Sequence, residues 1–203
     1  MNKFFAAGVV LAALFAASDC WAQAPASRDL RFAFDLGLTG GGDKLATATF
    51  SDGSTQTIRA GGLVQLGGGV LWQPASGPVA VQSTFNYHVD DVSASNGTLR
   101  FSRYPLEILG YYTGVPRWRF GAGPRFVFSP RLKVDVPGAN STITFEDTVG
   151  AVAEAGYRFG DYMWVNLRLT GERYKVKSID GNAVSSDSDV SGNSVGVNLV
   201  LYF

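Results

Sequence analysis

The chain has 203 residues, in which 17 Lys and Arg residues balance 17 Asp and Glu residues, so its formal net charge is zero. This neutrality removes the electrostatic case for nucleic-acid binding. After residue 24 no uninterrupted apolar run approaches the length of about 18 residues that a membrane-spanning helix needs, so no such helix is expected.

The N-terminus has the pattern of a secretory signal peptide. A short basic start is followed by an apolar run of about 14 residues, which is too short to span a bilayer. We predict a signal peptide over residues 1–22, with cleavage after Ala22 or as late as Ala24. Cys20, the sole cysteine, would be a lipid-anchor residue in the alternative reading, but the residues before it form a poor lipobox.

The rest of the chain, residues 28–203, is predicted to form one domain of alternating strands. In each strand large apolar side chains alternate with small or polar ones, which is the period of two of an extended chain. The predicted strands cover residues 30–39, 62–73, 79–89, 99–112, 118–129, 149–159, 163–174 and 194–203. The apolar pattern of the fourth strand changes phase near Ser102, which predicts a β-bulge there.

The connections between these strands alternate in length. Short turns rich in Gly, Pro and Asp are predicted at residues 73–78, 113–117 and 160–162. Longer polar loops are predicted at residues 39–61, 90–98, 130–148 and 175–192. An even strand number with alternating short turns and long loops is typical of a transmembrane β-barrel.

The apolar face decides between a membrane barrel and a soluble one. A soluble lipocalin-like barrel or sandwich would bury its apolar face inside. Here that face carries large residues in every strand, whereas the other face is small and polar, as a narrow lumen requires. We therefore predict an all-β fold, a closed antiparallel up-and-down transmembrane β-barrel of eight strands. Leu167 is expected to face lipid, and Asn166 to face the lumen and to tolerate Gln or Ser far better than Leu167 tolerates Arg.

Aromatic side chains are expected to form girdles at both ends of the barrel. The predicted girdle residues are Trp72, Tyr112, Trp118, Phe159 and Phe203 at the turn end, and Tyr87, Tyr104 and Phe128 at the loop end.

Two segments carry a resemblance to a known class. The terminal V-N-L-V-L-Y-F and the strand W-R-F-G-A-G-P-R-F at residues 118–126 resemble the small eight-stranded bacterial outer-membrane barrels of the OmpA/OmpX-like class. The resemblance implies a multi-pass outer-membrane protein with both termini in the periplasm. It also implies contact with outer-membrane lipid and lipopolysaccharide, and recognition of Tyr202 and Phe203 by the barrel-assembly machinery. We expect a monomer.

Charged residues on the predicted inner face form the candidate site. We predict a lumen ion-pair network of Arg103, Glu107, Arg119, Arg125, Glu154, Arg158, Arg168 and Glu172. Arg31 and Asp35 share this face. If the turn at residues 160–162 leaves Phe159 opposite Met163, Glu154 lies opposite Arg168. Charges removed from water need such partners.

The sequence favours a non-enzymatic barrel that supports envelope integrity or surface interaction through its loops. A narrow pore or carrier for ions or small solutes is the second hypothesis, and an envelope-lipid-modifying enzyme is the third. The single histidine, His88, is expected to be an exposed rim residue, and the serines near it lack a catalytic motif. No catalytic residue, metal site or cofactor is predicted.

Overall fold

The computed structural model describes residues 30–49, 55–94, 97–136, 138–184 and 189–203. This part of the chain is built from strands and turns. None of its segments is a helix long and apolar enough to cross a membrane. The predicted signal peptide, its cleavage sites and Cys20 lie outside the described residues.

Fourteen strands make up the described fold, of which eight form the barrel wall. The wall strands are β1 (Leu30–Gly41), β4 (Leu63–Trp72), β5 (Val79–Ala94), β6 (Gly97–Val115), β7 (Trp118–Val136), β9 (Thr148–Phe159), β10 (Met163–Gly171) and β14 (Ser194–Tyr202). The shorter strands are β2 (Lys44–Thr49), β3 (Thr55–Arg59), β8 (Ala139–Phe145), β11 (Arg173–Ile179), β12 (Asn182–Ala183) and β13 (Asp189–Ser191).

Antiparallel pairing closes the wall into a barrel. Strand β1 pairs with β4 on one side and with β14 on the other, so that Leu36 lies opposite both Leu66 and Leu199. The circle continues through β5, β6 and β7, and the β7–β9 pairing joins it to β9, β10 and β14. The predicted all-β, eight-stranded closed antiparallel barrel is confirmed. Closure leaves the wall without a free edge, which lipid requires.

Burial alternates along each wall strand as the sequence predicts. On β10, Asn166 and Arg168 are buried, whereas Leu167 and Leu169 are 56% and 57% exposed. Exposed large apolar residues are therefore on the outer face, and the buried polar residues face the lumen. The aromatic residues expected at the two girdles are all exposed: Trp72, Tyr87, Tyr104, Tyr112, Trp118, Phe128, Phe159 and Phe203.

The two ends of the barrel differ in their connections. The turn end carries the short connections at residues 73–78, 116–117 and 160–162. Each of these turns contains a residue with a positive φ: Gly77 (φ 106°), Arg117 (φ 63°) and Gly160 (φ 71°). The opposite end, called the loop end here, carries the longer connections.

The predicted long loops are in large part strands, which corrects the sequence prediction. Strand β5 extends to Ala94 and strand β6 begins at Gly97, so the two strands cover most of the predicted loop 90–98. Predicted loop 130–148 holds the end of β7 and all of β8, and β11 occupies part of the predicted loop 175–192. Strands β2 and β3 form a separate hairpin within the predicted loop 39–61.

At the loop end the apolar residues of the wall lie on the inner face and the polar residues on the outer face. This inversion explains why the sequence pattern predicted loops where the structure has strands. On β6, Leu99 and Phe101 are buried inside while Arg100 is exposed outside. Beyond the lipid the outer face meets water and the inner face packs on itself, so apolar residues change sides. The apparent phase change near Ser102 is this inversion, because the burial of β6 alternates without a break.

The β-bulge lies on the partner strand instead. The register between β6 and β7 shifts between Ser102 and Tyr104, and the extra residue is on β7 at Ser129, whose φ is 50°. Before it Val127 is buried, and after it Pro130 and Leu132 are buried, so the alternation of β7 changes phase there.

Two apolar clusters fill the ends of the interior. The loop-end cluster contains Ile58, Ala60, Val92, Leu99, Phe101, Val127, Leu132, Phe145 and Tyr174. Ile58, on β3, is fully buried in it, so the first long connection folds over the barrel mouth. The turn-end cluster contains Ala33, Leu71, Ala80, Leu109, Tyr111, Val152, Val200 and Tyr202. The polar lumen lies between the two clusters.

Candidate functional site in the barrel lumen

Four arginines lie inside the barrel with exposed fractions of 0–2%. They are Arg103, Arg119, Arg125 and Arg168. Four carboxylate side chains, those of Asp35, Glu107, Glu154 and Glu172, are buried with them. A guanidinium withdrawn from water is strongly destabilising unless anions and acceptors surround it.

A belt of four side chains crosses the lumen at mid-depth. Arg168 Nη1 donates to Glu154 Oε1 at 3.0 Å, and these residues are directly opposite each other on β10 and β9. Phe159 lies opposite Met163, the register expected from the short turn. Arg168 Nη2 also contacts Glu107, which in turn contacts Arg125 from the opposing position on β7. The structure thus brings together the four residues for which the sequence suggested a belt.

Towards the loop end, Glu172 receives two arginines. Arg125 Nε donates to Glu172 Oε2 at 2.9 Å, and Arg103 Nε lies 3.6 Å from Glu172 Oε1. The Tyr174 hydroxyl donates to Glu172 Oε1 at 2.6 Å. Arg103 also stacks on the ring of Phe101, 4.9 Å from its centroid, so the charged network continues directly into the loop-end cluster.

His88 is buried in this network, so the prediction of an exposed rim residue is wrong. It is 1% exposed, and Arg125 Nη2 lies 2.9 Å from its Nδ1. A second guanidinium faces the other ring nitrogen, because Arg103 Nη2 lies 3.2 Å from His88 Nε2. The Nε2 atom lies 2.9 Å from Thr39 Oγ1, which itself donates to the Gly61 carbonyl oxygen. The histidine was misplaced because its strand extends six residues beyond it.

Towards the turn end, Arg119 is held by neutral groups, so its predicted place in the ion-pair network is corrected: among the described residues it has no carboxylate partner. Its Nε and Nη2 atoms donate to Asn166 Oδ1 at 3.2 and 3.1 Å, and Nη1 donates to the Tyr202 hydroxyl. Its guanidinium lies 4.4 Å from the ring centroid of Tyr111 and 4.6 Å from that of Trp164. Such stacking is favourable because the face of an aromatic ring attracts a cation.

Comparison with known families identifies the barrel. The family model described as outer membrane protein beta-barrel domain matches residues 7–203. The chain belongs to this family. It is therefore a multi-pass β-barrel of the outer membrane, and the resemblance drawn from its two strand segments is confirmed.

A solved structure supports the fold of this outer-membrane barrel protein. Neisserial surface protein A (NspA) aligns with a TM-score of 0.52 at 10% identity, over 88% of this chain and 100% of that one. In vitro folded OmpT, an outer membrane protein of Vibrio cholerae, gives a TM-score of 0.30 at 17% identity, over 88% of this chain and 53% of that one. No curated protein matches at a significant level.

One predicted network residue of the outer-membrane barrel protein lies elsewhere. Arg158 is exposed at the turn end, opposite Trp164, and takes no part in the ion-pair network. It is the penultimate residue of β9, where the inner face already opens to solvent. The alternation of side chains along β9 predicts that Arg158 points to the inner face, but it carries no information on how deep in the lumen this side chain lies.

Several residues that complete the network were not predicted as part of it. Asn198 Nδ2 donates to both oxygens of Asp35 at 3.1 and 3.2 Å, and Gln65 accepts from Arg125 Nη1 at 3.0 Å. The Tyr111 hydroxyl donates to Glu154 Oε2 at 2.6 Å. All these residues occupy inward positions, so the alternation that located the charges also pointed to them.

The buried acidic groups do not create a metal site. Among the described residues there is no cluster of three or more His, Cys, Asp and Glu side chains placed to hold an ion. The carboxylates instead face arginines and amide groups of the protein, with which they form ion pairs and hydrogen bonds.

Proposed function

We propose that this protein is a non-enzymatic outer-membrane barrel with a closed lumen, which supports envelope integrity or surface interaction through its loop end. The observation that supports this proposal is the burial of the ion-pair network. Arg103, Arg125 and Arg168 are at most 1% exposed, and Glu107 is also 1% exposed. An eight-stranded barrel has an interior just wide enough for side chains, and here apolar clusters lie beyond both ends of the polar layer.

Conductance of the refolded protein in planar lipid bilayers tests this proposal. A lumen filled by paired side chains should give no steady single-channel current. Arg168→Ala, which removes the side chain joining Glu107 to Glu154, should produce leak events, whereas the outward-facing Leu169→Ala should stay silent. Steady wild-type currents with ion selectivity would overturn the closed lumen and favour the narrow pore or carrier.

The surroundings of His88 favour a non-enzymatic barrel over an envelope-lipid-modifying enzyme. A general base must accept a proton from a nucleophile that substrate can reach. The only hydroxyl hydrogen-bonded to His88 in the described structure is that of Thr39, which donates to a backbone carbonyl, and both groups are buried. Loss of a lipid-modifying activity on His88→Ala in a purified, folded variant would contradict this assignment.

We propose further that the turn end and both termini face the periplasm and that the loop end faces the exterior. The exposed side chains of Lys133 and Lys175 would then lie at the end of the barrel that meets lipopolysaccharide phosphates. The protein would act as a monomer in contact with outer-membrane lipid. The final strand, including Tyr202 and Phe203, would be recognised by the barrel-assembly machinery.

Labelling of intact cells tests the orientation. Lys133→Cys at the loop end and Asp161→Cys at the turn end both replace exposed residues. A membrane-impermeant maleimide should label only the first variant in intact cells and both after lysis. Labelling of the Asp161→Cys variant alone in intact cells would mean that the turn end, and not the loop end, faces the exterior.

A further inference from the structure

A small cavity opens at the turn end, separate from the ion-pair network. It has a volume of about 220 Å³. Its walls include four arginines, one carboxylate residue and two indoles: Arg31, Arg117, Arg119, Arg158, Asp161, Trp118 and Trp164. Arg117 and Arg158 are exposed at the rim, and Arg119 is only 2% exposed.

The lining of this cavity carries a net positive charge, because four arginines face one carboxylate, that of Asp161. None of its four arginines forms an ion pair with a carboxylate of the described residues. The three other lumen arginines, at positions 103, 125 and 168, each have a carboxylate partner. A concave surface with an excess of one sign of charge within low-dielectric walls focuses the field and concentrates counter-ions.

Arg119 is also pre-positioned. Its donors are directed to Asn166 and Tyr202, and three aromatic rings lie within 5.4 Å of its guanidinium carbon. The group therefore supplies a fixed charge beneath the cavity, while the rim arginines Arg117 and Arg158 are exposed and can move to meet a ligand. Guanidinium groups bind carboxylates and phosphates through paired hydrogen bonds.

We propose that the turn-end cavity binds a small anion bearing phosphate or carboxylate groups. The volume is below the range of about 300–1,000 Å³ usual for drug-sized ligands, so it suits a small anion or a single headgroup. The phosphate can come from a free solute or from a phospholipid headgroup, because the exposed aromatic Trp118 places this rim beside the lipid surface.

Tryptophan fluorescence of the protein refolded in a non-ionic detergent tests the proposal, since Trp164 and Trp118 line the cavity. Inorganic phosphate and citrate are titrated at constant ionic strength, with calorimetry as a second measurement. We expect a saturable response that weakens at least tenfold in the double variant Arg117→Gln/Arg158→Gln. Arg131→Gln, an exposed arginine at the loop end, should leave the response unchanged.

A second arm separates the two sources of phosphate. Detergent micelles containing phosphatidylglycerol are compared with micelles containing phosphatidylcholine, in the wild type and the double variant. A response to the anionic lipid alone assigns the site to a headgroup, and a response to inorganic phosphate assigns it to a free solute. Absence of any saturable response, or equal binding by the folded double variant, would overturn the proposal. Because both rim arginines are exposed, the double variant is expected to fold.

Discussion

Arg168 and Glu107 form an ion pair across the lumen, although their strands β10 and β6 are not neighbours in the barrel. The same arginine bonds Glu154 on the adjacent strand, and Glu107 also contacts Arg125. One continuous set of contacts therefore links β6, β7, β9 and β10 through the interior. The Arg168–Glu107 contact thereby joins two wall strands that are not paired directly with each other.

The Glu154–Arg168 pair should contribute strongly to stability. Both side chains are 1% exposed. Arg168→Met leaves Glu154 as a buried charge without an ion-pair partner and should destabilise the barrel by about 3–5 kcal/mol. Glu154→Gln should cost less, because Arg168 keeps its ion pair with Glu107. In a double-mutant cycle measured by urea unfolding in lipid vesicles, we expect a coupling energy above about 1 kcal/mol.

The surface pair Asp91–Arg100 provides the matched control for that cycle. Its atoms are equally close, at 2.9 Å, but its side chains are 34% and 51% exposed. Solvent screening should limit its coupling to about 1 kcal/mol or less. Equal coupling in the two cycles would mean that the lumen pair is as hydrated as the surface pair.

A cation on the outer wall should cost most at the centre of the membrane. Leu167→Arg, in the middle of β10, should destabilise by about 2–4 kcal/mol, and Val149→Arg, near the loop end of β9, by about 0–1 kcal/mol. Both residues are more than half exposed to the outside. Urea unfolding in vesicles measures the difference. If both changes were harmless, the outer face would not be in contact with lipid.

Asn166→Ser should be more damaging than the sequence predicted. The sequence places Asn166 inside and expects it to tolerate Ser, but its Oδ1 accepts two hydrogen bonds from Arg119. Loss of an acceptor for a buried charged donor costs about 1.5–3 kcal/mol. A loss below about 0.5 kcal/mol in the same unfolding assay would mean that Arg119 finds another acceptor.

Gly156 should resist substitution by alanine. It faces the lumen on β9, and a Cβ there would collide with Asn166 Oδ1 and lie 3.0 Å from both Cγ and Nε of Arg119, two side chains that are hydrogen-bonded to each other. Gly156→Ala should cost about 1–3 kcal/mol through overpacking. The control is Gly110→Ala, an outward strand glycine whose Cβ would have its nearest neighbour at 3.9 Å. Similar stabilities of the two variants would indicate that Arg119 moves freely.

The closed wall should also resist detergent. Because every wall strand is paired on both sides, unfolding requires the whole barrel to open. Unboiled protein should migrate differently from boiled protein on a denaturing gel. Gly156→Ala should lower the temperature at which the folded band disappears, and identical migration of boiled and unboiled wild type would contradict the closed barrel.

The sequence by itself determined the class of fold, the strand number within the wall and, in the lipid-facing part of the wall, the side to which each residue points. These features follow from local rules, because extended chains alternate faces every residue and lipid demands an apolar outer face. The opposition of Glu154 and Arg168 was predictable for the same reason, since a short turn transmits the register from one strand to the next.

Only the tertiary structure decided how deep each inward residue lies and what it meets across the lumen. Arg158 and Arg168 share the inner face, yet one is exposed at the turn end and the other is buried at the centre. His88 is buried because the strands continue past it and the loop-end cluster covers it. The depth of an inward residue depends on how far its strand continues beyond the membrane. Contacts across the lumen depend on the way in which extended side chains from distant strands fill a shared space. Neither is encoded in a local period of two.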